Sequence, residues 1–456
     1  MKRRLASLVN ITASLLALLL LLLLPASCSK DQAVLAPNPV VSGSKSPPSA
    51  TSTLAPSEGA VVLKSISLLS SFLSSNDLTL VTTLPNVPAA GGIQSRWYYL
   101  VRTNDGSPFA SKTAFASFQS AVDWYSENSD VRLSEDDLLG PDRDGLTFDD
   151  VDNPKRSATE FLNQAAFAQI GLAEARTVSE GNASIKIALL DTGVDTSHPL
   201  FASPQAHFEY GGNYIVMPPT GGVLGDAVGN GQDDDDDDYN DDAEGHGTYV
   251  AGLIYSAARQ ATIRAYKVLN DEGIGTAFGL AKAIRAAATT SGVKVISLSL
   301  GTLENNEMLH HVIASATEAG IAVVASAGNK NTANALQYPA GWNEVTTVSA
   351  VDADDIKYSQ ANYGSDIEIV APGVNIISAI PSAYLPYRYA ETSGTSVAVA
   401  WISGAIATVM DARACSAGDA VHIIRAEADD IRAENPNLFE CGRLNLAAAV
   451  NYQAIP

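Results

Sequence analysis

The sequence predicts an α/β fold, a mostly parallel buried sheet flanked by helices, preceded by a small α+β domain. Two observations predict it. After residue 157, short β-branched runs (IKIALL, VKVISLSL, IAVVAS, VTTVSAV, IEIVAP) alternate with alanine-rich stretches such as AFGLAKAIRAAATTSG and MLHHVIASATEAG. Strands apolar along their whole length are buried on both faces, and strands that alternate with helices pair in parallel. Before residue 135 the texture differs. A strand-like RWYYLVRT (96–103) precedes a helix-like TAFASFQSAVDWYSENSD, in which Phe115, Phe118, Val122 and Tyr125 recur near helical spacing.

The elements follow in order. Residues 1–28, MKRRLASLVNITASLLALLLLLLLPASC, join a basic start to a leucine-rich run that ends at a proline and small residues, the layout of a secretory signal. A retained membrane helix is the alternative, since Leu5 to Leu24 nearly spans a bilayer, although Ser7, Asn10, Thr12 and Ser14 interrupt its first half. Residues 29–58 are Ser, Pro, Ala and Thr with few large apolar side chains, and are expected to be a tether rather than a folded unit. Residues 59–135 form the small α+β unit, residues 136–157 an acidic connector with Gly and Pro, and residues 158–456 the large domain.

A formal net charge of −22 excludes nucleic acid as a partner and argues against charge-driven binding to anionic lipid. The 46% hydrophobic content is ample for a core. One stretch, GNGQDDDDDDYNDDAEGHGTYVAG (229–252), carries six consecutive aspartates, and a run of like charge usually stays solvated and extended. Of the three cysteines, Cys415 and Cys441 lie near the C-terminus. In an oxidising compartment they are expected to pair, which contributes about 3 kcal/mol in the chain-entropy account. Two buried thiols are the alternative.

In sheets of this kind, sites gather at the carboxyl ends of the strands. IALLDTGVDTSHP places Asp191 at the end of a buried strand, EGHGTYVAGLI places His246 where a loop enters an apolar helix, and TSGTSVAVAWISGAIATVM places Ser396 at the start of another. Taken singly, these are a turn, a surface loop and an N-cap. Taken together, they are the parts of a nucleophilic relay, in which histidine removes the serine proton and a carboxylate fixes the histidine tautomer. Gly245 and Gly247 allow the tight turn around His246, and Gly394 clears space before Ser396.

DTGVD, GHGTYVAG and GTSVA, in that order, resemble the three signature blocks of the subtilases, the subtilisin-like serine proteases. The resemblance runs from about residue 160 to 450 through SLSLG (297–301), ASAGN (325–329), YPA (338–340), YGSDIEIVAPGVNI (363–376) and GRLNLAAAV (442–450). It implies that Asp191 orients His246, that His246 serves as base and then acid, and that Ser396 attacks the peptide carbonyl. It also makes Asn329, with the Ser396 backbone N–H, the oxyanion donor. By the same resemblance, Ser299, Leu300 and Gly301 on one side and Ala327 and Gly328 on the other pair with an extended peptide or protein substrate.

Further expectations come with it. The small unit is a propeptide, an intramolecular inhibitor or folding assistant, cut away within the connector near Lys155-Arg156. Catalysis requires no cofactor. Part of the acidic run, with Asp241 or Asp242, is a candidate for structural calcium, with a flexible loop as the alternative. The LPAS before Cys28 resembles the lipobox of bacterial lipoproteins, with Pro25 where leucine is usual, and implies a lipidated Cys28 and a membrane tether. Ala400, followed by Trp401, stands where the family has proline, and Tyr249 replaces a second histidine; altered packing rather than lost chemistry is expected. The reading is a secreted or surface-tethered serine endopeptidase. The alternative is an inactive subtilase fold that serves as a surface binding protein.

Overall fold

The computed structural model describes residues 57–113, 116–127, 130–133, 155–215, 243–334, 336–381 and 388–453. The leader with Cys28, nearly all of the tether, Phe115, most of the connector, the aspartate run, Asp241 and Asp242 lie outside the described residues.

The N-terminal unit is a four-stranded antiparallel sheet of β1 (Glu58–Leu63), β2 (Leu78–Val87), β3 (Arg96–Thr103) and β4 (Val122–Glu127), in the order β2-β3-β1-β4. Side chains alternate across a strand, so one sequence fills two cores. Val61, Tyr99 and Val101 pack with Phe72 and Phe118, which come from the short helices Leu69–Ser75 and Ala116–Ala121. Ala60, Val62, Tyr98 and Leu100 face the other way and join a core of the large domain. The expected helix over 113–130 is thus only half correct. It ends at Ala121, and Val122 to Glu127 form an edge strand whose Trp124 and Tyr125 register against Val62 and Val61. Valine and aromatic residues suit a pleated, half-buried surface, and pairing along β1 overrides the apparent helical spacing.

Two short strands follow. β5 (Asp130–Leu133) leaves the N-terminal sheet, and β6 (Lys155–Arg156) joins the large domain. The large domain is built on seven parallel strands: β7 (Lys186–Asp191), β8 (His207–Asn213), β9 (Thr262–Lys267), β11 (Val293–Leu298), β13 (Ala322–Ser326), β14 (Thr346–Val351) and β15 (Ile369–Pro372), in the order β15-β14-β13-β11-β7-β9-β8. The short strands β10 (Ile274–Thr276) and β12 (Leu300–Gly301) lie outside this sheet, as does a hairpin of β16 (Ile376–Ala379) and β17 (Tyr389–Thr392).

Helices α1 (His246–Ala257) and α4 (Thr395–Arg413) cover one face of the parallel sheet, meeting Ile187, Leu189, Val295, Val324 and Val348. Helices α2 (Ala277–Thr289) and α3 (Glu307–Glu318) cover the other, meeting Ala188, Leu190, Ile296 and Val323. Burial on both faces explains why these strands read as continuous apolar runs. Side-chain caps start α2 and α3: Thr276 accepts from the Gly279 N–H, and Asn306 from those of Met308 and Leu309.

α4 is long and apolar enough to cross a membrane, yet 89% of its apolar window is buried inside the protein. It is the central core helix. Trp401, fully buried, meets the edge of Phe167 at 5.8 Å. Beyond α4, the left-handed Ala414 (φ 47°) turns the chain so that the Cys415 Sγ lies 4.0 Å from the Val409 carbonyl. Cys415 is a free, half-buried thiol whose pKa burial pushes up, so the expected Cys415–Cys441 bridge is not formed.

Removing a fully buried tryptophan leaves a cavity that a packed helix cannot close. Trp401→Ala is expected to cost about 3–5 kcal/mol of unfolding free energy, measured by denaturant titration in a Ser396→Ala background to prevent self-digestion.

Candidate active site

The parallel sheet brings three distant segments together at the carboxyl ends of its strands. Asp191 ends β7, and His246 opens α1 behind Gly245, whose φ of 90° is the left-handed turn that glycine adopts readily. The His246 Nδ1 lies 2.7 Å from Asp191 Oδ1, and both side chains are about 1% exposed. A carboxylate can only accept, so Nδ1 carries the proton, which leaves Nε2 as the basic nitrogen of the neutral ring.

The residues beside the pair hold the two segments in register. The Gly247 N–H donates to Thr192 Oγ1 at 3.0 Å, and the Asp195 N–H to Thr248 Oγ1 at 2.8 Å. A Cβ on Gly247 would stand 1.9 Å from the Gly193 carbonyl oxygen, so the two backbones approach as only glycine permits. The buried Lys267 ammonium donates to the Thr192 carbonyl from the neighbouring strand end.

Ser396 lies in the first turn of α4, 1% exposed. Its hydroxyl donates to the Ser299 carbonyl at 3.3 Å, and the Ser299 hydroxyl donates to the Ser396 carbonyl at 3.2 Å. Ser403 Oγ donates to Ser297 Oγ at 2.9 Å, tying α4 to β11 beneath the site. Asn329, just past β13, accepts the Thr395 N–H on its Oδ1 at 3.1 Å. That bond orients the amide with Nδ2 as its donor beside the start of the helix. Gly394 is extended (φ 164°, ψ 165°), so it does not supply a left-handed turn.

The cleft beside Ser396 contains a strand of the same chain. β5 runs antiparallel between β12 and β10, with Leu133 opposite Leu300, Arg132 opposite both Gly301 and Ile274, and Val131 opposite Gly275. Leu300 and Gly301 therefore form one wall, paired with an extended strand of the same chain, and Ser299 directly precedes them. Ala327 and Gly328 are not paired with β5. The Ala327 N–H goes to Val348 O and its carbonyl to Asn362 Nδ2, while Gly328 bonds Thr395 Oγ1 and the Asn362 N–H. The second wall is Ile274, Gly275 and Thr276. This glycine-bearing run is too short for any periodicity, and its only sequence signal is the position before an apolar helix.

Gln337 was also missed. Its side chain, 4% exposed, lies against the wall residue Gly301, where an added Cβ would stand 2.5 Å from Gln337 Cδ. Its Nε2 donates to the Ser326 Oγ at 3.3 Å, so it crosses the space between the β12 wall and β13. The sequence signal was its place directly before the YPA block.

The departures from the family pattern point away from the chemistry. The buried Tyr249 hydroxyl donates to the Ile376 carbonyl at 2.5 Å, anchoring α1 to β16, and burial raises its pKa well above the ordinary tyrosine value. Ala400 and Trp401, both in α4, are buried in its core-facing surface. Among the described residues, no group of three or more His, Cys, Asp or Glu side chains is placed to hold a metal ion.

Comparisons with known proteins agree with this arrangement. The profile of the Subtilase family matches residues 182–432. Thermitase of Thermoactinomyces vulgaris is 33% identical over 291 residues, 61% of this chain and 92% of its own length. Subtilisin DY of Bacillus licheniformis is 31% identical over 240 residues, 50% of this chain and 77% of its own, and an alkaline protease of Shouchella clausii is 29% identical over 293 residues, 61% and 68%. With its blocks set on one parallel sheet and its profile match covering more than half of 456 residues, the chain belongs to the subtilase family and is a serine-type endopeptidase.

Proposed function

We propose that the protein is an exported endopeptidase, made with its cleft filled by its own N-terminal unit, and that Asp191, His246, Ser396 and Asn329 carry its chemistry. The observation that carries this reading is the insertion of β5. From Arg132 opposite Gly301 to Leu133 opposite Leu300, the chain heads toward Ser299, whose carbonyl receives the Ser396 hydroxyl. An extended substrate would pair with β10 and β12 in the same way, through backbone bonds that tolerate many side chains.

The steps follow from the residues. His246 takes the Ser396 proton as Oγ attacks the scissile carbonyl, and Asp191 stabilises the imidazolium. Asn329 Nδ2 and the Ser396 N–H, at the positive end of α4, face the oxygen that becomes negative. His246 then returns the proton to the leaving amine, and water repeats the sequence on the acyl-enzyme. Nucleophile, base and donors all come from the chain, and catalysis needs no cofactor.

The N-terminal unit, in this reading, is an inhibitor that the enzyme cuts from itself. Lys155-Arg156 is a poor place for the cut. Both residues pair in β6 with β17, and Arg156 bonds Glu391 at 2.9 Å and Glu160 at 3.3 Å. The wild-type chain is expected to yield a mature form whose N-terminus lies after Leu133 and before Lys155, while Ser396→Ala stays full length. Equal processing of both forms, read by N-terminal sequencing, would exclude self-cleavage.

Gln337→Gly empties space beside the β12 wall and is expected to raise kcat/KM for peptides with bulky residues at the cleavage point relative to small ones. A peptide series decides it, and an unchanged ranking would remove Gln337 from the pocket. The leader and Cys28 make a lipid-tethered, surface-held enzyme the proposed location. Mass spectrometry is expected to find an acylated Cys28 as the first residue of the exported chain before processing, and an unmodified first residue beyond it would leave a simply secreted enzyme.

A further inference from the structure

Helix α3 carries two consecutive histidines, and the N-terminal unit sits on both. His311 is 0% exposed. Its Nε2 lies 2.5 Å from the Pro88 carbonyl oxygen and its Nδ1 2.9 Å from the Tyr98 hydroxyl, so both ring nitrogens are engaged by the N-terminal unit. The polarity is determined. A carbonyl only accepts, so Nε2 holds the proton and Nδ1 accepts from Tyr98. The Arg96 guanidinium lies against the Tyr98 oxygen and is itself donor-only, which commits the tyrosine proton to His311.

The charged and titratable groups around His311 are few. From β3 come Arg96 and Tyr98, and from α3 itself come Glu307 and His310. Arg96 is ion-paired with Glu307, so the two largely cancel at the ring. Burial pushes the Tyr98 hydroxyl up to about 12, which keeps it a neutral donor. His310 differs from its neighbour: its Nε2 lies 2.6 Å from Glu344, and its ring stacks on Trp342, both within the large domain, so it keeps its partners whether or not the N-terminal unit is present.

We propose that His311 is a proton-operated release for the N-terminal unit: acidification protonates the ring, the seam with Tyr98 fails, and the cleft is vacated. This rests on the reading of that unit as the enzyme's inhibitor. An imidazolium has two donors and no acceptor, so the Tyr98 hydroxyl would lose its acceptor at Nδ1 and would have to turn its proton away to receive Nδ1–H, in a seam where a buried charge is costly. With the N-terminal unit in place the pKa of His311 lies below the ordinary histidine value, chiefly through burial, to which Pro88 and Tyr98 of that unit contribute contacts; Arg96 lowers it further, and the Pro88 bond and Glu307 oppose. The docked state therefore takes up a proton less readily than the free one. Affinity is complete above the ordinary histidine value of about 6.5 and falls as pH drops through it, by up to about tenfold per pH unit.

The test uses the processed protein with its cut N-terminal unit still bound, taken from about pH 8 to about pH 5. Gel filtration measures the bound fraction, and peptide hydrolysis after return to pH 8 measures the enzyme set free. The expected result is at least tenfold weaker retention at the acid end for wild type and for His310→Gln, and retention within about twofold across the range for His311→Gln. An unaltered acid response in His311→Gln, or no acid response in wild type, overturns the proposal. Should that variant misfold, the His311 ring protons in full-length Ser396→Ala are expected to titrate at lower pH than in the mature domain, and equal midpoints overturn it as well. Full hydrolytic activity of the complex at pH 8 would instead sink the inhibitor reading beneath it, whereas intact inhibition with pH-independent retention sinks only the release.

Discussion

The site depends on a constraint of packing rather than on any single reactive group. Asp191 and His246 are 55 residues apart, yet their 2.7 Å bond forms at full burial because two backbones cross at Gly193 and Gly247 with no room for a side chain between them. Thr192 and Thr248 lock the crossing with one hydrogen bond each, and Lys267 secures the same loop from the adjacent strand. Removed from water, the pair interacts at an effective dielectric far below that of solvent, so its orientation controls the basicity available at the other ring nitrogen. The signature blocks are thus mainly instructions for bringing two loops into contact. Only one residue in each is reactive.

Much of this was legible because burial on both faces leaves a strong mark in sequence. The runs ending in Asp191, Leu298 and Ser326 are continuous apolar strands, and each leads directly into the cleft. Asp191 and Asn329 stood out as candidates because they lie at or just past the ends of such runs. What was not legible is pairing that has no period of its own. Ile274–Thr276 is three residues long, and its Thr276 doubles as a helix cap, so the sequence presents the cap and hides the strand. The opposite error occurred at Val122–Glu127, where aromatic residues near helical spacing turned out to be an edge strand recruited by β1. The disulfide inference failed for a related reason. Two cysteines in one region of sequence say nothing about direction, and the turn at Ala414 points one of them back onto its own helix.

The family pattern tolerates substitution where a residue serves packing. Tyr249 in α1 and Trp401 in α4 are both absorbed by the core that these two helices share. Tyr249 adds a backbone tether to β16, while Trp401 fills space against Phe167 in the segment that follows the connector.

The pairing of β5 with β10 and β12 has a consequence for how targets are selected. Once that strand is gone, the cleft is two open sheet edges facing each other, and an open edge is satisfied only by another backbone in extended form. A folded protein offers no such backbone unless a stretch of about four residues can leave its own helix or sheet. Susceptibility to this enzyme is then governed first by the local unfolding free energy of the target and only second by the identity of its side chains. An enzyme with such a cleft discriminates by chain disorder, sparing well-folded proteins of the same composition.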